Sequence, residues 1–277
     1  MHQAHQILHG LFRRNSMHIV VLIKQVPDTS EVKINRETNT LIRDGVPSIV
    51  NPFDMYAIEE ALRLREKHGG KVTAVTMGPP QAAEALKEAI ALGVDDVVLL
   101  SDRIFAGADT WATSYTLSQG IKKLGNFDLV IAGKQAIDGD TAQVGPETAD
   151  MLGIPFVAYI RKIEGIDDKK MVAERLMDEG HDVVETSLPA LITVVKEINQ
   201  PRVPSLKGKM RAKNLKVTTW NAKDINADEN KCGLRGSPTK VVRIFPPAPR
   251  GNREILTGNM EDQITSVVRK LKEQSLI

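Results

Sequence analysis

The sequence predicts an α/β fold: a doubly wound, mostly parallel sheet with helices on both faces, an attached antiparallel hairpin and an extended C-terminal arm. Two patterns carry this prediction. From His18 to about Leu152, short apolar runs alternate with longer half-apolar stretches, as strands buried on both faces alternate with helices. After Pro155 the pattern changes to period-two alternation, which suits an antiparallel pair with one wet face.

The first strand is Ile19-Val20-Val21-Leu22-Ile23, and Pro27 in Lys24-Gln25-Val26-Pro27-Asp28 is expected to stop its ladder. Val32-Lys33-Ile34 and Thr40-Leu41-Ile42-Arg43, joined by Asn35 to Asn39, predict a hairpin. Asn51 suits a helix N-cap and Pro52 its first turn, with Ile58, Ala61, Leu62 and Arg65 on one face until Gly69-Gly70 ends it. A strand at Val72-Thr73-Ala74-Val75-Thr76 leads through Met77-Gly78-Pro79-Pro80 to a helix from Gln81 to Leu92, stopped at Gly93. Asp96-Val97-Val98-Leu99-Leu100 is the next strand, and Asp109 is placed to cap a helix from Thr110 to Leu124.

Asp128-Leu129-Val130-Ile131-Ala132 is a further buried strand. It runs into Gly133-Lys134-Gln135-Ala136-Ile137-Asp138-Gly139-Asp140-Thr141-Ala142-Gln143-Val144-Gly145-Pro146-Glu147, and a helical pattern covers Pro146 to Leu152. Then come the alternating strands Met171 to Leu176 and His181 to Thr186, turned at Asp178-Glu179-Gly180, and a returning buried strand at Leu191 to Val195. Residues 199 to 216 mix basic and apolar residues with two prolines, and residues 221 to 258 show little periodicity apart from a candidate strand at Thr239 to Phe245. A last amphipathic helix, Asp262 to Gln274, puts Ile264, Val267, Val268 and Leu271 on one face. This tail is too sparse to fold alone and is expected to lie on a partner or on the core. The domain division is therefore 1–16 outside the fold, 17–220 as the α/β domain and 221–277 as the arm.

The 37 Lys and Arg nearly balance the 35 Asp and Glu. The surplus vanishes if the first sixteen residues, with Arg13 and Arg14 and no acid, are set aside, so charge lends no support to nucleic-acid binding. That leader, with His2, His5 and His9 and a second methionine at Met17, reads as an extension outside the fold or a transit-like segment. A single cysteine, Cys232, rules out an internal disulfide and a multi-cysteine cluster, pointing to a reducing, cytoplasmic setting. No apolar run reaches the roughly 20 residues needed to span a bilayer as a helix, so the chain is expected not to be integral to a membrane.

The segment from Gly133 to Glu147 follows the carboxyl end of a parallel strand, where doubly wound folds bind ligands. Its small residues and the backbone N–H groups at a helix start suit a phosphate or pyrophosphate. Asp138 and Asp140 would repel such a group if they faced it, so they accept from a ribose hydroxyl, cap the turn or hold the loop. A polar turn without a ligand fits the same residues. Lys24 to Asp28, Met77 to Pro80, Ser101 to Arg103 and the helix start Asn51 to Asp54 fall on the same sheet edge, which favours a shared crevice. No catalytic constellation is found: His18, His68 and His181 lack nucleophile partners and read as structural, and Glu59-Glu60, adjacent on a helix, read as solvated surface. The stretch Arg202, Lys207, Lys209, Arg211, Lys213, Lys216 reads as a solvated basic loop or a protein-docking loop around Leu206, and lacks aromatic interleaving for single-stranded nucleic acid. Any chemistry would belong to a bound cofactor.

Lys24-Gln25-Val26-Pro27-Asp28, Asn51-Pro52-Phe53-Asp54, Met77-Gly78-Pro79, the Gly133–Glu147 segment, Glu197-Ile198-Asn199-Gln200-Pro201-Arg202 and Met210-Arg211-Ala212-Lys213 together resemble the beta subunit of electron transfer flavoprotein. The similarity runs from about Met17 to the end. It implies an adenine-nucleotide-binding α/β domain paired with an alpha subunit that carries one FAD. Nucleotide contacts would fall on Leu22, on Asn51, Pro52, Phe53 and Asp54, on Met77, and on Ala136 to Glu147. The docking loop toward partner dehydrogenases would fall on Asn199 to Met210, including Pro201, with Leu206 as its apolar anchor, and the C-terminal arm would wrap the alpha subunit. In one version of the family this subunit holds AMP and the heterodimer only carries electrons. In the other it holds a second FAD that accepts hydride from NADH and divides the electrons. One goes to ferredoxin or flavodoxin, and the other passes through the alpha flavin to an acyl-CoA-type dehydrogenase or quinone-linked oxidoreductase. Gly139 and Thr141 resemble the second, bifurcating group, with AMP as the alternative. NADH oxidation would then belong to the complex, in the cytoplasm or peripheral to a membrane through a partner.

Overall fold

In the computed structural model, residues 16–28, 34–35, 40–41, 48–243 and 254–277 are described. They fall into two compact units, one of 16–28 and 48–241, the other of 34–35, 40–41, 242–243 and 254–277.

The first unit is built on a nine-stranded sheet among the described residues. Its parallel strands are β1 (Met17–Leu22), β6 (Gly70–Met77), β7 (Asp96–Leu100), β8 (Leu129–Gly133), β9 (Phe156–Ile166), β12 (Ala190–Val194) and β13 (Thr218–Trp220). The spatial order is β9-β12-β8-β1-β6-β7-β13, and the hairpin of β10 (Lys170–Met177) and β11 (Gly180–Ser187) continues antiparallel from β9. From β1 the chain builds outward through β6 and β7, then returns to the other side of β1 with β8 and β12. The direction of building thus reverses between β1 and β8, the place where doubly wound sheets receive ligands.

Alternate residues of β1 serve the two faces. Ile19 and Val21 pack with Ala57, Ile58, Ala61 and Leu62 of helix α1 (Pro52–His68) and with Leu86, Ala89 and Ile90 of α2 (Ala83–Leu92). Val20 and Leu22 pack with Leu117 and Ile121 of α3 (Thr110–Leu124) and Ala149 of α4 (Val144–Leu152). A two-residue period against a 3.6-residue period gives each strand two covered faces. Asp109 caps α3 as expected, its carboxylate accepting from the Ala112 N–H at 3.1 Å.

Several expectations need correction. Pro27 is not what stops the first strand, whose ladders already end at Leu22: Gln25–Pro27 (β2) forms a separate antiparallel ribbon with Ser48–Val50 (β5), in which Pro27, its last residue, stands opposite Ser48 and a missing donor is tolerated. Strand β9, unassigned from sequence, joins the hairpin to the parallel core; its register shifts against β10 and β12 blur the alternation that would reveal it. The stretch 199–216 contains a helix, α5 (Leu206–Lys213), N-capped by Ser205, whose Oγ accepts from the Gly208 N–H at 3.0 Å. Residues 239–243 form no strand, and Phe245 lies outside the described residues. Ala222, Ile225 and Cys232 are buried with the core face that Val20 and Leu22 share, so this part of the sparse tail lies on the core.

In the second unit Ile34–Asn35 (β3) pairs antiparallel with Thr40–Leu41 (β4), as the hairpin prediction required; its flanks Val32, Lys33, Ile42 and Arg43 lie outside the described residues, as do residues 1–15. Helix α6 (Met260–Glu273) leaves Ile264, Val267 and Val268 exposed along one side. No helix among the described residues is long and apolar enough to cross a membrane.

Candidate functional site

Three neighbouring strands, β8, β1 and β6, end side by side at Gly133, Leu22 and Met77, and the predicted contacts gather around these ends. Leu22 is buried beneath the rim, and Met77, half-buried, stands opposite Leu100 of β7. The Lys24 N–H, just past β1, donates to Asp54 Oδ2 at 2.7 Å, so the first turn of α1 closes over the strand end.

Asn51 occupies the N-cap position of α1, but its side chain makes no cap hydrogen bond. It reaches across to the loop after β8 instead. Its Nδ2 donates to the Gln135 carbonyl at 2.8 Å and to Asp54 Oδ1 at 3.0 Å, and its Oδ1 accepts from the Ile137 N–H at 3.1 Å. An amide, with both donor and acceptor, is the side chain that can bridge a carbonyl and an N–H at once. Gly133 is needed for the same closure: a Cβ there would lie 2.4 Å from Asp54 Oδ1 and 2.6 Å from the Phe53 carbonyl carbon. Burial pushes the Asp54 carboxyl up to about 7, against the lowering pull of hydrogen bonds from Asn51, Lys24 and Gly133.

The loop itself is shaped by a turn in which the Asp140 N–H donates to the Ala136 carbonyl at 2.8 Å, with Asp140 and Ala142 at φ 54° and 55°. The carboxylates of this segment are engaged with the protein itself. Asp138 is paired with Lys24 Nζ at 2.6 Å, Asp140 accepts from Gln135 Nε2, and Glu147 accepts from Thr110 Oγ1 at 3.0 Å and Ser114 Oγ at 3.1 Å on α3. Of the roles open to Asp138 and Asp140, holding the loop is the one their contacts display. A Cβ built on Gly139 meets nothing within 4 Å, so the crest of the loop borders open space. Val144 and Gly145 begin α4, where N–H groups have no intrahelical acceptor, and Pro146 has no N–H; the Glu147 N–H is satisfied by the Gln143 carbonyl at 3.1 Å. Thr141 and Gln143 lie between this crest and the helix start. A rim with anchored carboxylates and a helix N-terminus can receive a phosphate group.

The docking candidates fall elsewhere. Asn199 Nδ2 donates to the Tyr56 carbonyl and to Glu60 Oε2, both at 3.0 Å, which ties it to the middle of α1. Pro201 borders a cavity of about 370 Å³ lined also by Ile49, Val50, Pro52, Met55, Tyr56 and Glu88. Leu206 and Met210, on α5, are exposed. The reading of Glu59 and Glu60 as solvated surface is wrong: both are buried, because the chain from Asn199 to Arg202 lies over them. The basic stretch is not simply solvated either, since Arg202 pairs with Glu59 and Glu66, and Arg211 donates to the carbonyls of Val94 and Asp95. An i,i+4 spacing of Glu59 and Arg63 was the visible signal of an anchored carboxylate; Arg202, 143 residues away, was not foreseeable from spacing. His18 is held by the Asn126 carbonyl at 2.8 Å and Thr73 Oγ1 at 3.0 Å, in keeping with a structural role.

Residues 38–225 match the family described as "Electron transfer flavoprotein domain". The chain is 52% identical over 262 residues to "Electron transfer flavoprotein subunit beta" of Thermoanaerobacterium thermosaccharolyticum, covering 94% of this chain and 100% of that protein. It is 51% identical over 263 residues to "Caffeyl-CoA reductase-Etf complex subunit CarD" of Acetobacterium woodii, with the same coverage of 94% and 100%. With "Protein FixA" of Sinorhizobium fredii it shares 45% identity over 262 residues, 92% of each chain.

Proposed function

Because this chain belongs to the electron transfer flavoprotein family, as a beta subunit, we propose that its rim of strand ends binds FAD in a heterodimer with an alpha subunit. The observation that carries this reading is the loop after β8, clamped by Asn51 at the point where the strand order reverses, with its carboxylates tied back and its crest open at Gly139. When bound, FAD supplies hydride acceptance from NADH and one-electron release to two acceptors, ferredoxin or flavodoxin on one side and the alpha-subunit flavin on the other.

The residues of this chain bind and orient. The N–H groups at the start of α4 and around Thr141 take the diphosphate; Leu22 and Met77 form the apolar floor; Asn51 and Asp54 hold the two sides of the crevice at fixed separation. Likeness to a subunit of a caffeyl-CoA reductase complex supports an acyl-CoA-type dehydrogenase as the high-potential acceptor. Docking of that acceptor is assigned to the exposed Leu206 and Met210, and the apolar side of α6 to the alpha subunit.

AMP in the same crevice is the competing occupant, since it needs the same phosphate cradle. The small crest at Gly139 and Thr141 favours the longer ligand, whose second half must pass the loop. Purification of the heterodimer followed by acid release and chromatographic identification of the nucleotides decides between them.

A further inference from the structure

Helix α1 does two mechanical jobs at once. Its first turn, through Asn51 and Asp54, clamps the loop after β8, and its middle holds the segment that leads into α5. Arg202 is the centre of that second attachment. Its guanidinium gives Nε to Glu59 Oε2 at 2.7 Å and Nη1 to Glu66 Oε1 at 2.6 Å, and its backbone N–H gives a further bond to Glu59 Oε2 at 3.1 Å. Arg63 Nε completes the cage, donating to Glu59 Oε1 at 2.7 Å.

The Glu59 side chain is only 5% exposed, so its charge must be met by fixed donors or it would not stay ionised. Burial raises its carboxyl, yet the hydrogen bonds from Arg202 and Arg63 outweigh that and hold it below the usual carboxylate range. Three residues before Arg202, Asn199 is bound to the Tyr56 carbonyl and Glu60. The far end of the segment is equally fixed. A Cβ on Gly208 would fall 2.0 Å from the Ala91 carbonyl, so only glycine lets α5 approach the end of α2 this closely, and Arg211 Nη1 donates to the Val94 carbonyl at 2.8 Å.

Between two such anchors a flexible stretch would be expected to fold its apolar side chains inward. Instead Val203 is 84% exposed, Leu206 77% and Met210 62%. A segment bound at both ends with its apolar side chains turned to water is arranged for presentation, because the anchors order the chain before a partner arrives and binding need not lose that entropy again.

We infer that Glu59 and Arg202 are positioning residues for the electron acceptor: their ion pair on α1 holds Val203, Leu206 and Met210 in the outward posture that a partner dehydrogenase meets. This rests on the docking role proposed above for Leu206. The same helix grips the cofactor loop at its other end, so the ion pair also fixes the docking segment to the body that carries the flavin.

The test uses the purified heterodimer and an acyl-CoA dehydrogenase that accepts electrons from the unaltered protein. Three variants are compared: Arg202→Lys, which keeps the charge and loses the fork, Glu59→Gln, and Leu206→Ala. Arg202→Lys and Glu59→Gln are expected to raise the half-saturating concentration of the dehydrogenase roughly tenfold or more, as loss of charge-assisted hydrogen bonds implies. Turnover at saturating dehydrogenase, nucleotide content and flavin reduction by NADH should stay within about twofold of the parent. Tryptic cleavage after Lys207 and Lys209 should quicken in Arg202→Lys, which reports the loosened posture even if Glu59→Gln folds poorly. If Leu206→Ala raises the half-saturating concentration and neither Arg202→Lys nor Glu59→Gln does, the positioning role is overturned while docking stands. If Leu206→Ala leaves it unchanged, the docking reading itself fails and takes this inference with it. A fall in turnover with unchanged half-saturation also overturns it.

Discussion

Replacing Asn51 by Ala isolates the clamp between α1 and the loop after β8. Three hydrogen bonds disappear, to the Gln135 carbonyl, the Ile137 N–H and Asp54 Oδ1, while the backbone at the N-cap position is kept. Each is worth roughly 0.5 to 1.5 kcal/mol net, and more where the abandoned group stays dry. Asn51 is buried, but the Gln135 and Ile137 groups lie in a partly open loop where water can replace part of the loss. A cost of about 2 to 3 kcal/mol follows, directed at the loop rather than at the sheet. At a factor of ten per 1.4 kcal/mol, the Ile137 amide should exchange with solvent roughly 30- to 150-fold faster. Amides in the centre of β1 and β8 should be far less affected. The assay is native-state hydrogen exchange with fragment resolution on the heterodimer, paired with the dissociation rate of the released nucleotide. Unchanged exchange at Ile137, or faster exchange spread evenly over the sheet, would refute the clamp.

Two glycines of the same loop should behave oppositely. Gly133→Ala drives a Cβ into the Asp54 carboxylate and the α1 backbone and should cost about 3 kcal/mol or more, seen as a lowered urea midpoint. Gly139→Ala meets open space, so its urea midpoint should hold while nucleotide affinity drops about tenfold or more; unchanged affinity would move the diphosphate away from the crest. Asp54 sets a pH dependence whose sign follows from its raised value. Between its ordinary 3.8 and about 7 the folded protein keeps a proton that the unfolded chain has released, so its contribution to stability falls as pH rises, then levels off. The difference spans on the order of 4 kcal/mol at about 1.4 kcal/mol per pH unit. The unfolding free energy of the parent minus that of Asp54→Asn should therefore decline from pH 5 to pH 7; a flat difference would contradict the buried protonated carboxyl.

Much of the candidate rim was legible because doubly wound folds gather strand ends by topology. Apolar runs located Leu22, Met77 and Gly133 at strand ends, and those ends do lie side by side. Local chemistry was read well where it acts within one turn, as at Asp109 on Ala112. It was misread where the partner is far along the chain. Asn51 has the composition of a cap and the behaviour of a bridge, because Gln135 and Ile137 arrive from 84 and 86 residues away. Glu59 and Glu60 carry a surface signature, and only the return of Asn199 to Arg202 buries them. Helix α5 escaped notice because a single residue of it, Ala212, is buried, which leaves almost no apolar periodicity to detect. Strand β9 was hidden by its irregular registers for a related reason: a bulge moves side chains out of the period-two pattern.

The identity of the nucleotide in the crevice bears most directly on the whole account. Co-purified with its alpha subunit, denatured in acid and resolved by chromatography with absorbance at flavin and adenine wavelengths, the heterodimer should release two FAD and no AMP. Release of one FAD with one AMP would contradict the bifurcating assignment and leave a plain electron carrier.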